Sequence, residues 1–256
     1  MIEVRGLYAG YSATPVLKGI DLLCPSGQIT AIVGKNGCGK STLLKTLTNI
    51  LPIIKGEIKI NGIDISSYSR NSIAQTISFL PQSRNVPEIT AERMVLHGRF
   101  PYLSYPYSYR TEDRRIARDS MERLGIWNLR DMPLSSLSGG MRQKVYIAMA
   151  LAQGTSVVLM DEPTTFLDIS HQYQIMDQAR ELADEGKTVV MVLHDLSQAL
   201  RAADDVIVLQ QGKVVGNGAP ETVFQSGILN QIFGVEIERV KTNHGWLYVY
   251  ERKLDI

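Results

Sequence analysis

The chain has 256 residues, 44% of them hydrophobic, with 27 basic against 26 acidic side chains and a formal net charge of +1. That length suits one large domain or two small ones, the composition is ordinary for a soluble globular protein, and the near-neutral balance gives no electrostatic reason to expect nucleic-acid binding. Cys24 and Cys38 are the only cysteines; neither has Cys-x-x-Cys or Cys/His metal spacing, so no disulfide framework or zinc site is expected and a reducing compartment fits best. Met1 to Arg5 has no basic lead into an apolar core, and no run approaches the ~20 apolar residues a bilayer span needs, so the expectation is a cytosolic chain able to dock on a membrane protein.

Residues 2 to 7 and 20 to 23 read as short strands with a glycine-containing bend from Tyr8 to Tyr11, and Glu57 to Ile60 forms another strand closed by the hairpin dipeptide Asn61-Gly62. Tyr11 can stack on a purine, with Tyr8 or simple core packing equally good readings. The apolar run Ile29 to Val33 leads into Gly34-Lys35-Asn36-Gly37-Cys38-Gly39-Lys40-Ser41-Thr42 and then an apolar helix start at Leu43. Strand, glycine-rich turn and helix are the context of a phosphate-binding loop: glycines turn backbone N–H groups toward phosphate oxygens, the helix adds its positive end, Lys40 reaches the β- and γ-phosphates and the Ser41 hydroxyl holds Mg²⁺. Cys38, near a helix start, reads either as a small loop filler or as a thiol of lowered pKa.

Ile77 to Leu80 is a strand ending at Pro81-Gln82, where a glutamine carbonyl can ligate Mg²⁺ or water once other groups are in place. From Ser83 to about Leu134 the pattern turns helical, with helices over Ala91 to Gly98 and Thr111 to Leu124, the second opening on Thr111-Glu112-Asp113 as cap and first-turn acid. Between them, Phe100 to Tyr109 is dense in aromatics and proline, flanked by Arg99 and Arg110, and reads as a docking surface, a base-stacking stretch, or aromatics tucked onto their own core. Ser138 then caps a helix that begins Gly139-Gly140, a second anion site by geometry. Val157 to Met160 delivers Asp161-Glu162 at a strand end, Asp161 suited to supporting Mg²⁺ and Glu162 to orienting the attacking water as general base. Thr188 to Leu193 presents His194, structural or a γ-phosphate contact.

Together these residues resemble the nucleotide-binding subunit of ATP-binding-cassette (ABC) transporters from about Ile2 to Gly218. The resemblance makes Gly34 to Thr42 the phosphate loop, Gln82 the Q-loop, Leu137-Ser138-Gly139-Gly140-Met141-Arg142-Gln143 the signature, Val157 to Glu162 the Walker B strand, Phe166-Leu167-Asp168 the D-loop, His194 the switch histidine and Tyr11 the adenine-stacking aromatic. Met141 stands where glutamine is common, and Phe166 at a variable position; neither replaces a catalytic group. The implied fold is α/β: a phosphate-loop NTPase core with an antiparallel β subdomain and an inserted helical subdomain. In one domain, 1–82 and 155–218 would form the core, 83–154 the helical part and 219–256 a short extension. Two copies would sandwich two ATP molecules head to tail, each between one chain's phosphate loop and the other's Ser138, Gly139 and Gly140, with Asp168 also at the nucleotide interface.

A narrower resemblance, on Gly98 to Leu103, Glu112-Asp113 and Asp161 to Gln172, is to the ATPases of bacterial importers for ferric siderophores, haem and cobalamin, the first above all. It implies integral membrane permease partners, indirectly a substrate-binding protein, and a place at the cytoplasmic face of the membrane. A soluble cassette ATPase uncoupled from transport is the alternative, though the chain lacks the sustained heptads or second cassette of the DNA-repair and translation types. Beyond Gly218, short helices are expected over Pro220 to Phe224 and Gly227 to Phe233, with a hairpin pairing Val235 to Val240 and Trp246 to Tyr250 around Asn243-His244-Gly245.

Overall fold

A computed structural model describes residues 1–12, 14–82, 86–165, 167–243 and 245–252; the readings that fall on Phe166, His244 and residues 83–85 lie outside them. The chain runs β1 (Ile2–Ala9), β2 (Leu17–Cys24), β3 (Gln28–Val33), α1 (Lys40–Leu47), β4 (Ile53–Ile60), β5 (Ile63–Asp64), α2 (Arg70–Thr76), β6 (Ile77–Leu80), α3 (Ala91–His97), α4 (Thr111–Arg123) and α5 (Gly139–Gln153). It continues through β7 (Val157–Asp161), α6 (Ile169–Asp184), β8 (Thr188–Val192), α7 (Leu196–Ala202), β9 (Asp205–Gln210), β10 (Lys213–Gly218), α8 (Pro220–Gln225), α9 (Ile228–Phe233), β11 (Val235–Thr242) and β12 (Gly245–Arg252). Two compact units result, one of residues 1–67 with 176–256 and one of residues 68–175.

In the first unit β3 pairs in parallel with both β8 and β9, and β10 closes on β9 antiparallel. Ile29, Ala31, Ile32 and Val33 of β3 and the Val189 to Val192 run of β8 are fully buried. Their mostly apolar sequences, broken in β3 only by Gln28 and the buried Thr30, are what strands covered on both faces require. A separate antiparallel sheet orders β2-β1-β4-β5. β1 continues past the expected bend to Ala9, because a register shift between Val4 and Leu7, with Gly6 at φ +53°, restores the inward alternation and buries Leu7 and Ala9. That is the work of a bulge. Asn61 and Gly62 both have positive φ, as a two-residue hairpin turn demands. After Gly218 the two helices and the β11–β12 hairpin form where expected, and β12 packs on α7.

The second unit pairs β6 with β7 in parallel and gathers α3, α4 and α5 into a helical cluster. α2, with Ser69 as its cap, and α6 were not among the expected elements. At α4 the cap is Arg110, one residue earlier than expected, and the first-turn acid Asp113 accepts the Arg110 N–H at 3.0 Å. Arg99 does not flank the aromatic stretch as a surface residue. Its Nε donates to Asp113 at 3.0 Å and its Nη1 to the Ala152 carbonyl at 2.9 Å, with only 12% and 8% of the Arg99 and Asp113 side chains exposed. Burial alone would push the Asp113 carboxyl up, but the Arg110 N–H and the Arg99 guanidinium outweigh it and hold the pKa below its ordinary value. Breaking a buried pair of this kind costs about 3 kcal/mol or more. Since the folded-state pKa is depressed, the stabilisation is present above the unfolded value of about 4 and is lost as pH falls through the folded one. Asp113→Asn is therefore expected to lower the thermal midpoint at pH 7, with the gap to the unaltered chain closing below about pH 4; a gap independent of pH in melting curves would contradict it.

Candidate functional site

The expected site residues fall into two sets, one in each unit, and each set is built by its own local structure. In the first unit, the run from Gly34 to Thr42 leaves the end of β3 and enters α1. Gly34 has no room for a side chain: a Cβ there would lie 2.2 Å from the Leu209 carbonyl oxygen and 2.7 Å from Cys38 Sγ. Gly39, at φ +111°, caps α1 without a side-chain acceptor, and the first turn carries no acid. The positive end of α1 is therefore not neutralised by its own cap or first turn, and Gly37, at φ +78° with nothing within 4 Å of a Cβ, leaves the approach open. This geometry accepts an anion.

The β9–β10 turn braces the loop, a role the sequence reading missed. Gly212 N–H donates to Cys38 O at 2.9 Å, Lys18 N–H donates to Gly212 O at 2.8 Å, and a Cβ on Gly212 would lie 1.9 Å from the Val16 oxygen. The signal for it was present in Gln211-Gly212, a turn pair between apolar runs. Lys40 is only 6% exposed, and its Nζ donates to Gly34 O at 2.7 Å and Lys35 O at 3.1 Å, which holds the ammonium within the loop. Lys35 and Asn36 are exposed, Ser41 is half-buried and Thr42 is buried. Tyr11 keeps an exposed ring, with Lys45 Nζ 5.5 Å from its centroid and 3.3 Å from its hydroxyl, whereas Tyr8 lies against Gly19. Of the two tyrosines, Tyr11 is the one with a face to offer. His194 is exposed at the end of β8, where Leu193 N–H donates to Ile32 O at 3.2 Å and so registers this end beside the start of the phosphate loop.

In the second unit, β7 ends on Asp161, only 4% exposed, and the next residue, Glu162, adopts φ +53°. A left-handed conformation in a residue with a full side chain costs on the order of 1–3 kcal/mol and persists only where neighbours impose it. Here Gln82 Nε2 donates to Glu162 Oε2 and Thr165 Oγ1 lies 3.4 Å from the same oxygen. The structure thus brings Gln82 and Glu162 together, as two oxygen-bearing side chains at one strand end. Ser138 caps α5, accepting the Met141 N–H at 3.3 Å, and α5, like α1, has no acid in its first turn. Ser138 and Gly139 are exposed, and Gly139 opens onto free space. Asp168 accepts the His171 N–H at 2.9 Å near the start of α6, and this bond, with the His171 ring, holds its carboxyl below the ordinary range.

The aromatic stretch divides. Tyr102 is a packing residue, its hydroxyl donating to Gln153 O at 2.7 Å and its ring 3.9 Å from the Arg99 guanidinium carbon. Phe100 and Tyr107 stack with centroids 6.3 Å apart, and Tyr105 stands edge-on to Tyr107 and is 87% exposed.

Residues 17–165 match the family model described as ABC transporter. The ferric enterobactin transport ATP-binding protein FepC of Escherichia coli (strain K12) is 40% identical over 237 residues, covering 91% of this chain and 88% of its own. Among solved structures, an inward-facing putative metal-chelate type ABC transporter superposes with a TM-score of 0.86 at 26% identity, covering 99% of this chain and 98% of that one. A dimeric ATP-binding cassette in a post-hydrolysis state, bound to ADP and Pi, superposes with a TM-score of 0.75 at 27% identity over 86% of this chain and 99% of that one.

Cys38 comes out as a packing residue. Burial pushes its thiol up, against the pull of the Lys40 ammonium, and the Sγ sits where it fills the space beside Gly34. Iodoacetamide at pH 7 is expected to label Cys38 at least about tenfold more slowly in the folded chain than in the unfolded one, read by mass spectrometry; equal rates would revive the activated-thiol reading.

Proposed function

The chain belongs to the ABC transporter family, and on that premise we propose that it is the ATP-hydrolysing subunit of an importer that takes up an iron chelate, most specifically a ferric siderophore. The observations that carry the enzymatic half are made within each unit by itself: an acid-free α1 N-terminus with no side-chain cap behind Gly34 and Gly39 in the first, and a strand end that presents Asp161 and Glu162 in the second. The cargo rests on likeness to the ferric enterobactin subunit and to the metal-chelate transporter.

In the proposed reaction the backbone N–H groups from Gly37 to Thr42 and the Lys40 ammonium hold the β- and γ-phosphates, and Tyr11 stacks on the base. Glu162 orients a water in line with the γ-phosphorus and takes its proton as the bond to the bridging oxygen breaks, giving ADP and inorganic phosphate. His194 contacts the γ-phosphate and registers its departure. The donors Ser41, Gln82 and Asp161 are all oxygen, the chemistry Mg²⁺ prefers, and among the described residues no three carboxylate, imidazole or thiol groups form a metal cage by themselves. They suit an ion that also uses phosphate oxygens, whose charge would neutralise the transferring phosphoryl group.

The open N-terminus of α5 at Ser138 and Gly139 suits the γ-phosphate of an ATP bound to a second copy, and that a similar cassette is dimeric and bound to ADP and Pi supports a pairing of two copies. We place the subunit at the cytoplasmic face of the membrane beside integral permease subunits served by a substrate-binding protein. Among the described residues no helix is long and apolar enough to cross a bilayer. The exposed trio Phe100, Tyr105 and Tyr107 is the proposed contact with the permease, aromatics being favoured at interface cores.

Glu162→Gln is expected to keep ATP binding while lowering turnover by about 10²-fold or more. By light scattering after size exclusion it should shift from monomer to dimer only with ATP, and Ser138→Arg should abolish the shift. Normal turnover would remove Glu162 as base. In vesicles reconstituted with the permease, Tyr105→Ala should uncouple uptake from hydrolysis, leaving the ATPase rate of the isolated subunit within about twofold; unchanged uptake would move the contact elsewhere.

A further inference from the structure

Gly140, unlike Gly139, is walled in by a side chain. A Cβ built on it would lie 2.9 Å from His171 Cδ2 and 3.0 Å from its Cγ and Nε2. The ring cannot swing away freely. Its Nδ1 is 2.8 Å from both oxygens of Asp168, and since a carboxylate of lowered pKa only accepts, Nδ1 carries the proton and donates. Asp168 is itself fixed by the His171 N–H. One further bond ties α5 to the loop that follows Glu162, Gln143 Nε2 donating to Pro163 O at 3.1 Å, while Gln172 Nε2, beside His171 on α6, donates to Leu167 O at 3.0 Å and lies 3.4 Å from Thr164 O. α5 is thereby tied directly to the loop at Pro163, and α6, which carries the His171 ring against Gly140, is tied to the same loop at Leu167.

We propose that His171 is a positioning residue that locks the Ser138–Gly140 turn to the loop carrying Glu162, so that γ-phosphate binding by the turn in one ATP site sets the water-orienting carboxylate of the other. This rests on the reading that the turn binds the nucleotide of a second copy. It also gives position 140 a second reason to be glycine, one that comes from within the chain and not from the phosphate. The two reasons separate experimentally, because only the internal one disappears when the imidazole is removed.

The lock itself is read in the full-length monomer by amide hydrogen exchange. His171→Ala should speed exchange at Met141 and Arg142, whose N–H groups bond Ser138, by about tenfold, while β1–β5 amides stay unchanged. Unchanged exchange at Met141 and Arg142 would overturn the proposal. Its consequence is read in the Glu162→Gln background as the protein concentration needed for half-dimerisation with ATP. Gly140→Ala should raise that concentration about tenfold, and adding His171→Ala should bring it back to within about threefold of His171→Ala alone. A double variant no better than Gly140→Ala would overturn the lock. With Glu162 intact, His171→Ala should lower kcat severalfold at unchanged KM and with a thermal midpoint within a few degrees of the unaltered chain; a parallel loss of midpoint would mark a merely structural role. If Ser138→Arg still dimerises normally, it is the composite site that fails, and the exchange result at Met141 and Arg142 still decides the lock.

Discussion

The loop between β3 and α1 depends on glycines at three places where the chain comes close to itself. Gly34 lies against the Leu209 carbonyl, Gly212 against that of Val16, and Gly39 beside Leu17, where a Cβ would be 2.9 Å from a methyl carbon. The two backbone approaches leave no room for a side chain at Gly34 or Gly212, and at Gly39 it is the left-handed backbone, φ +111°, that favours glycine. Preorganised N–H groups need no reorientation when charge arrives, so electrostatic stabilisation by the loop is available in full. The buried Lys40 ammonium, bonded to two loop carbonyls, completes a site whose parts hold one another in place.

The strand end at Asp161 and Glu162 solves a different problem. A side chain that leaves a strand in ordinary extended backbone alternates sides with its neighbour. The left-handed turn at Glu162 breaks that alternation and redirects the carboxylate beside Gln82, with strain that the following loop holds in check through Thr165. Asp161, one residue earlier, keeps the strand geometry and stays buried. Adjacent carboxylates thus acquire different environments, because the backbone separates them where their spacing in sequence does not.

What the sequence disclosed was local. Glycine spacing before Lys40, the Ser138 cap and the Asn61-Gly62 turn each follow from conformational preferences within a few residues, and all three stand in the structure. What it hid was relational. The brace from Gly212 to Cys38 joins residues 174 positions apart, and the Arg99–Asp113 pair buries an arginine that its place in the sequence puts at the flank of an exposed aromatic stretch. The Asp168–His171–Gly140 contact shows why: three residues of ordinary kind acquire meaning only when α5 and α6 bring them together. Pattern reading recovers preference, while meeting partners depends on the whole chain.

The first unit is discontinuous, made of residues 1–67 and 176–256, whereas the second is a single stretch from 68 to 175. Strand β3 finds both of its neighbours, β8 and β9, only among residues after Thr188. On the ribosome, at ~5–20 residues per second, β3, with Ile29, Ala31, Ile32 and Val33 all destined for the core, waits with the loop behind it on the order of ten seconds or longer for those partners. The segment written first is thus finished last. Holdase chaperones would find their main client surface in β3 during that interval, and synonymous codons that slow translation between residues 176 and 210 would lengthen its exposure.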